Sequence, residues 1–123
     1  MTVTDLAARV EALASTPAGQ PLAGDAEECV NELLDALERG ELRAAERAED
    51  GAWRAVPWVK QGILLGFRVG RLTEMGETLA FVDKHTYPPR RMHVADNVRV
   101  VPGGSSIRRG AYVAPGVVCM PPM

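Results

Sequence analysis

A six-residue rhythm near the C-terminal end sets the tightest limit on what this chain can fold into. Val101, Ile107, Val113 and Cys119 recur at every sixth position. Gly104, Gly110 and Gly116 keep the same step, and Ser105, Ala111 and Val117 stand two places before the last three apolar positions. This is the spacing of a left-handed parallel β-helix, in which each hexad forms one flat side of a triangular coil. The aliphatic residue points inward and a glycine or small residue lets the chain turn the corner. About three hexads make one coil, and repeat architectures generally need about three stacked units to bury a continuous core. Here the rhythm covers one coil and reaches Met123 in mid-repeat, so the expectation is a truncated β-helix with nothing to stack on.

Ahead of the hexads the pattern is mainly helical. Leu6, Val10 and Leu13 define one apolar face of a helix over 4–14, with Thr4 as its cap. Residues 15–24 are rich in Pro and Gly and read as a linker. A second helix spans 25–39, with Val30, Leu33, Leu34 and Leu37 as its stripe, Asp25 and Glu28 resembling a capping box, and Gly40 after its end. Asp50-Gly51 between extended runs at 42–48 and 52–56 signals a hairpin. Pro57 suits the first turn of a third helix over 58–69, whose Trp58, Val59, Ile63, Leu64, Leu65 and Phe67 mark it as the central core helix. Residues 72–82 are ambiguous, with a strand expected at 79–82. Val98 to Val101 is extended. The expected class is α+β: a helical N-terminal domain with a β-hairpin over 1–97, in which 1–24 are helix and flexible linker, then the first coil of a left-handed β-helix over 98–123.

Composition narrows the function. Apolar residues make up 46%, charged residues 24%, and net charge is −2, which carries no nucleic-acid footprint. No apolar run approaches a membrane span and the first ten residues lack a signal-peptide pattern, so no membrane partner and a cytoplasmic setting are expected. Cys29 and Cys119 occupy positions of small buried hydrophobes rather than of a disulfide framework. A metal site is not expected: His85 and His93 are eight residues apart, with Asp83 and Asp96 nearby, whereas zinc ligand pairs usually lie two to five apart. Gly103-Gly104-Ser105 lacks the lysine and helix of a phosphate loop. Trp53 and Trp58 read as packing residues at the join of hairpin and helix.

The C-terminal third is locally basic through Arg90, Arg91, Arg99, Arg108 and Arg109, which suits an anionic ligand or partner. Arg99 is the best candidate. It lies in Val98-Arg99-Val100-Val101-Pro102, where the helical part hands over to the hexads. Alternation puts Arg99 and Val101 on one side of the run and Val98 and Val100 on the other. A guanidinium held on a rigid strand binds a carboxylate bidentately. The competing reading is a surface arginine paired with a nearby acid.

At these residues the chain resembles a known family. Leu37-Glu38-Arg39-Gly40-Glu41-Leu42-Arg43-Ala44-Ala45-Glu46 is one block. Asp50-Gly51-Ala52-Trp53 followed by the run from Trp58 to Arg68 is the most specific. Phe81-Val82-Asp83-Lys84 is weaker, and Arg99-Val100-Val101-Pro102, Ile107 to Ala114 and Met120-Pro121 close the match. Over residues 26–123 these blocks are similar to the N-terminal part of tetrahydrodipicolinate N-succinyltransferases, hexapeptide-repeat enzymes of diaminopimelate and lysine biosynthesis. The resemblance implies a homotrimer with active sites between subunits. It also implies transfer of succinyl from the co-substrate succinyl-CoA to the amino group of a ring-opened dicarboxylate, and Arg99 as the substrate contact. It implies no metal, no covalent intermediate, and neither a catalytic nor a cofactor-binding residue in this segment, because the CoA-binding coils lie further along. Such a chain is expected to be inactive alone. The alternative is a stand-alone, non-catalytic interaction module derived from the enzyme.

Overall fold

The computed structural model describes residues 2–76 and 79–121. Helix α1 runs Val3–Ala14 and α2 runs Ala26–Glu38. Helix α1 is capped two residues earlier than its sequence suggests. Thr2 Oγ1 accepts from Asp5 N at 3.2 Å, while Asp5 Oδ2 accepts from Thr2 N at 3.2 Å. Thr2 wins over Thr4 because an acid stands three residues after it and closes a reciprocal box. The reverse happens at α2, where Asp25 makes no side-chain cap bond. Its carboxylate lies 3.9 Å from Arg9, which also holds Glu32 at 2.8 Å, so a tertiary cation takes the place of the expected capping box.

Strands β1 (Ala45–Arg47) and β2 (Trp53–Ala55) pair antiparallel around the Asp50-Gly51 turn. The hairpin is shorter than its extended runs and wholly exposed. Trp53 stands 71% exposed, so the packing role expected for it is wrong. Its register partner is Arg47, itself exposed. Trp58, at the start of α3 (Pro57–Val69), does pack against the core.

The core is the junction of the three helices: Leu6, Val10 and Leu13 from α1, Cys29, Val30, Leu33, Leu34 and Leu37 from α2, and Val59 and Leu65 from α3. Helix α3 is central, but its inner face is not the one its largest residues mark. Leu64 is 55% and Phe67 37% exposed, while Gly62 and Gly66 are buried. A Cβ on Gly62 would overlap Leu33, and one on Gly66 would overlap Tyr87. Two missing side chains, one turn apart, let α3 press against its neighbours. From the last turn of α3, Arg68 donates to the carbonyls of Thr16, Pro17 and Gln20 at 2.6, 2.7 and 3.0 Å, which pins the linker between α1 and α2.

Strands β3 (Leu72–Met75) and β4 (Phe81–Lys84) form a second antiparallel hairpin where the sequence was ambiguous. A 3₁₀ turn at Val94–Asp96 ends on Asn97, whose φ of 53° reverses the chain into β5 (Arg99–Val100). Strand β5 pairs parallel with β6 (Val118–Cys119). Between them Gly104, Gly110 and Gly116 have φ of 84, 94 and 87°, so the six-residue glycine step marks three left-handed turns that other L-residues adopt at a cost. Ile107 is buried and Val101, Val113 and Cys119 are half-buried. The register differs from the hexad count. Cys119 faces Val100 rather than Val101, because a further residue is taken up where Gly103 and Gly104 both turn with positive φ. The described residues hold one parallel strand pair and its turns; a left-handed β-helix coil is not among their elements. Pro122 and Met123, the end of the expected coil, lie outside the described residues.

Candidate functional site

Strand β5 is fixed by backbone bonds on its β6 side. Arg99 N donates to Val117 O at 3.0 Å, Val101 N to Cys119 O at 3.0 Å, and Gly116 N to Asn97 O at 2.6 Å. Arg99 therefore stands on a tethered backbone. Its side chain is exposed beside that of its register partner Val118, itself 45% exposed. Its guanidinium makes no hydrogen bond or ion pair with any described residue, so the competing reading of a surface ion pair does not hold among them.

The neighbouring arginines are different. Arg109 donates to Glu38 Oε1 at 3.0 Å and to Asp35 Oδ1 at 2.8 Å, both on α2. Arg90 lies 3.7 Å from Glu38 and donates to Ala111 O. Arg108 pairs with Asp83 at 2.7 Å and lies 5.6 Å from the ring centres of Phe67 and Tyr87. Arg90, Arg108 and Arg109 are thus spent on the fold, while Arg99 has no such partner among the described residues and is exposed.

A cleft of about 560 Å³ lies on the other side of β5, which the sequence did not reveal. Val100 lines it, together with Phe81 and Met75 from the β3–β4 hairpin, Arg90 to Met92, and Ser105 to Ile107. Its sequence signal was the adjacent pair Arg90 and Arg91, which spacing alone could not place.

The remaining candidates are structural. His85 Nδ1 accepts from Arg71 N at 2.9 Å, which leaves Nε2 to donate to Glu27 at 2.9 Å. His93 begins the 3₁₀ turn, its backbone N donating to Asp96 at 2.7 Å. Among the described residues no three His, Cys, Asp or Glu side chains come together as a metal site. Cys29 is buried, with its thiol pKa raised by that burial, and Cys119 is half-buried; both are free. No helix among the described residues is long and apolar enough to cross a membrane.

Fold and site together define a small α+β domain that anchors a tethered strand pair and exposes on it Arg99, which has no partner among the described residues. The chain belongs to the tetrahydrodipicolinate N-succinyltransferase N-terminal family, whose model matches residues 6–69, just over half its length. That match begins inside α1, further toward the N-terminus than the resemblance at residues 26–123. Curated relatives named 2,3,4,5-tetrahydropyridine-2,6-dicarboxylate N-succinyltransferase are similar over more of the chain. The protein of Paramagnetospirillum magneticum is 38% identical over 105 residues, covering 80% of this chain and 37% of the relative. That of Psychrobacter sp. is 39% identical, covering 86% and 40%, and that of Pectobacterium atrosepticum 42% identical, covering 76% and 35%. The chain spans a little over a third of the length of these relatives.

Proposed function

We propose that this chain is the acceptor-substrate side of an N-succinyltransferase acting on tetrahydrodipicolinate in diaminopimelate and lysine biosynthesis. The observation that carries the proposal is Arg99, an exposed guanidinium without a partner among the described residues, on a strand held at both ends. The acceptor is a dicarboxylate, and a planar fork of donors matches one carboxylate bidentately. The ligand's amine then attacks the thioester carbon of succinyl-CoA. The C–N bond forms, the C–S bond breaks, and the amine proton leaves with the released thiol. Arg99 holds the far end of the acceptor, so its contribution is read in acceptor binding and hence in kcat/KM.

The parallel β5–β6 pair and the left-handed glycine turns support a first β-helix coil. In this reading later coils supply the acyl-donor surface, and the whole enzyme is a cytoplasmic homotrimer. The test is Arg99→Lys in the succinyltransferase that carries this segment. A lysine keeps the charge and loses the fork, so kcat/KM for the acceptor is expected to fall roughly tenfold, about 1.4 kcal/mol. Unchanged kinetics would overturn the assignment. The chain alone is expected to release no CoA thiol from succinyl-CoA. Turnover by it alone would mean that the donor side lies here too.

A further inference from the structure

Glu38 is the last residue of α2, whose final turn has no basic residue of its own. An anion there meets the negative end of the helix, which is unfavourable unless cations from elsewhere compensate. Asp35, one turn back, adds a second anion. The compensating cations come from distant positions that flank the Arg99 strand on both sides. Arg90 lies nine residues before Arg99, and Arg109 lies eight residues before Val117, whose carbonyl holds Arg99 N. One oxygen, Glu38 Oε1, accepts from Arg109 Nη1 at 3.0 Å and Gly110 N at 2.9 Å, with Arg90 Nε 3.7 Å away. The same two segments are tied to each other, Arg90 N donating to Ile107 O at 2.6 Å and Arg109 N to Pro88 O at 2.9 Å. The side chains of Glu38 and Arg109 are 20% and 19% exposed, so this clamp is only partly screened by water.

We propose that Glu38 is a positioning residue for the acceptor substrate: it clamps the two segments leading into β5 and β6 onto α2 and so sets where Arg99 stands. The proposal rests on the role given to Arg99 above. Bidentate capture of a carboxylate tolerates little displacement of the fork, so a loosened clamp is read out in acceptor binding rather than in chemistry.

The experiment compares Glu38→Gln with Arg68→Ala in the same succinyltransferase. Arg68 holds the 16–20 linker and has no contact with the clamp, so it is the control for lost stability alone. Glu38→Gln is expected to raise acceptor KM about five- to tenfold, with kcat and the KM for succinyl-CoA within about twofold. Arg68→Ala is expected to lower the melting temperature without moving acceptor KM. Glu38→Gln that lowers the melting temperature and leaves acceptor KM unchanged overturns the proposal. If that variant does not fold, Asp35→Asn weakens the clamp at a half-exposed carboxylate, with a rise of about two- to threefold expected and no rise overturning it. Unchanged kinetics in Arg99→Lys would remove the underlying assignment, whatever Glu38 does.

Discussion

The hydroxyl of Tyr87 donates to the backbone carbonyl of Ile63 at 2.5 Å, with its ring filling the space that Gly66 leaves on α3. A Cβ at Gly66 would lie 2.7 Å from Tyr87 Cζ, well inside contact distance. The overlap with the phenol oxygen is deeper still, which puts the overpacking cost in the upper part of its usual range, about 2–3 kcal/mol, and the gain in helix propensity from glycine to alanine returns about 1. Gly66→Ala is therefore expected to lower the melting temperature by roughly 4–8 °C per kcal/mol of net loss, about 1–2 kcal/mol. A thermal melt showing equal or higher stability would contradict this packing.

Burial pushes the Tyr87 phenol up to about 12, against the smaller opposing pull of Arg108 and Arg109. An unfolded tyrosine ionises near 10. The folded chain thus keeps a proton that the unfolded chain loses first. Stability from this group is fully present below about pH 10, declines as pH rises, and is gone above about 12. Urea unfolding at steps between pH 9 and 12 is expected to show that decline in the native sequence and a flatter profile in Tyr87→Phe.

Arg99 and Arg109 should separate function from stability. Arg99 has no partner to lose among the described residues, so Arg99→Ala is expected to stay within about 0.5 kcal/mol of the native chain. Arg109→Ala removes the ion-pair partner of Asp35 and leaves Glu38 with Gly110 N and the more distant Arg90, and is expected to cost about 2 kcal/mol. Denaturant midpoints of the two variants give the comparison. A large loss in Arg99→Ala would mean that its guanidinium holds the fold.

The two tryptophans differ in environment, Trp53 being 71% exposed and Trp58 packed against the core. Trp53→Phe is expected to shift the remaining emission to shorter wavelength and to reduce quenching by acrylamide, with little loss of stability. Unchanged quenching would place Trp53 under cover.

The helices were legible because each carries its own period. Leu6, Val10 and Leu13, and Val30, Leu33, Leu34 and Leu37, are buried as a 3.6-residue repeat requires. The Asp50-Gly51 hairpin was legible from two residues, since its turn is a local conformational preference. Helix α3 was harder. It is apolar nearly all round, and what selects its inner face is the space at Gly62 and Gly66, which has meaning only against Leu33 and Tyr87.

By itself the sequence determined the three helices, the first hairpin and the glycine turns at six-residue intervals. All of these rest on interactions within a few positions of the chain. Only the tertiary structure decided that β5 meets β6 with Val100 facing Cys119, that Arg90, Arg108 and Arg109 are committed to Glu38, Asp35 and Asp83, and that Arg99 is left without such a partner. Charges of one sign look alike along a chain. Which of them is neutralised depends on acids as many as 74 positions away, brought near by the packing of α2 against the C-terminal segment.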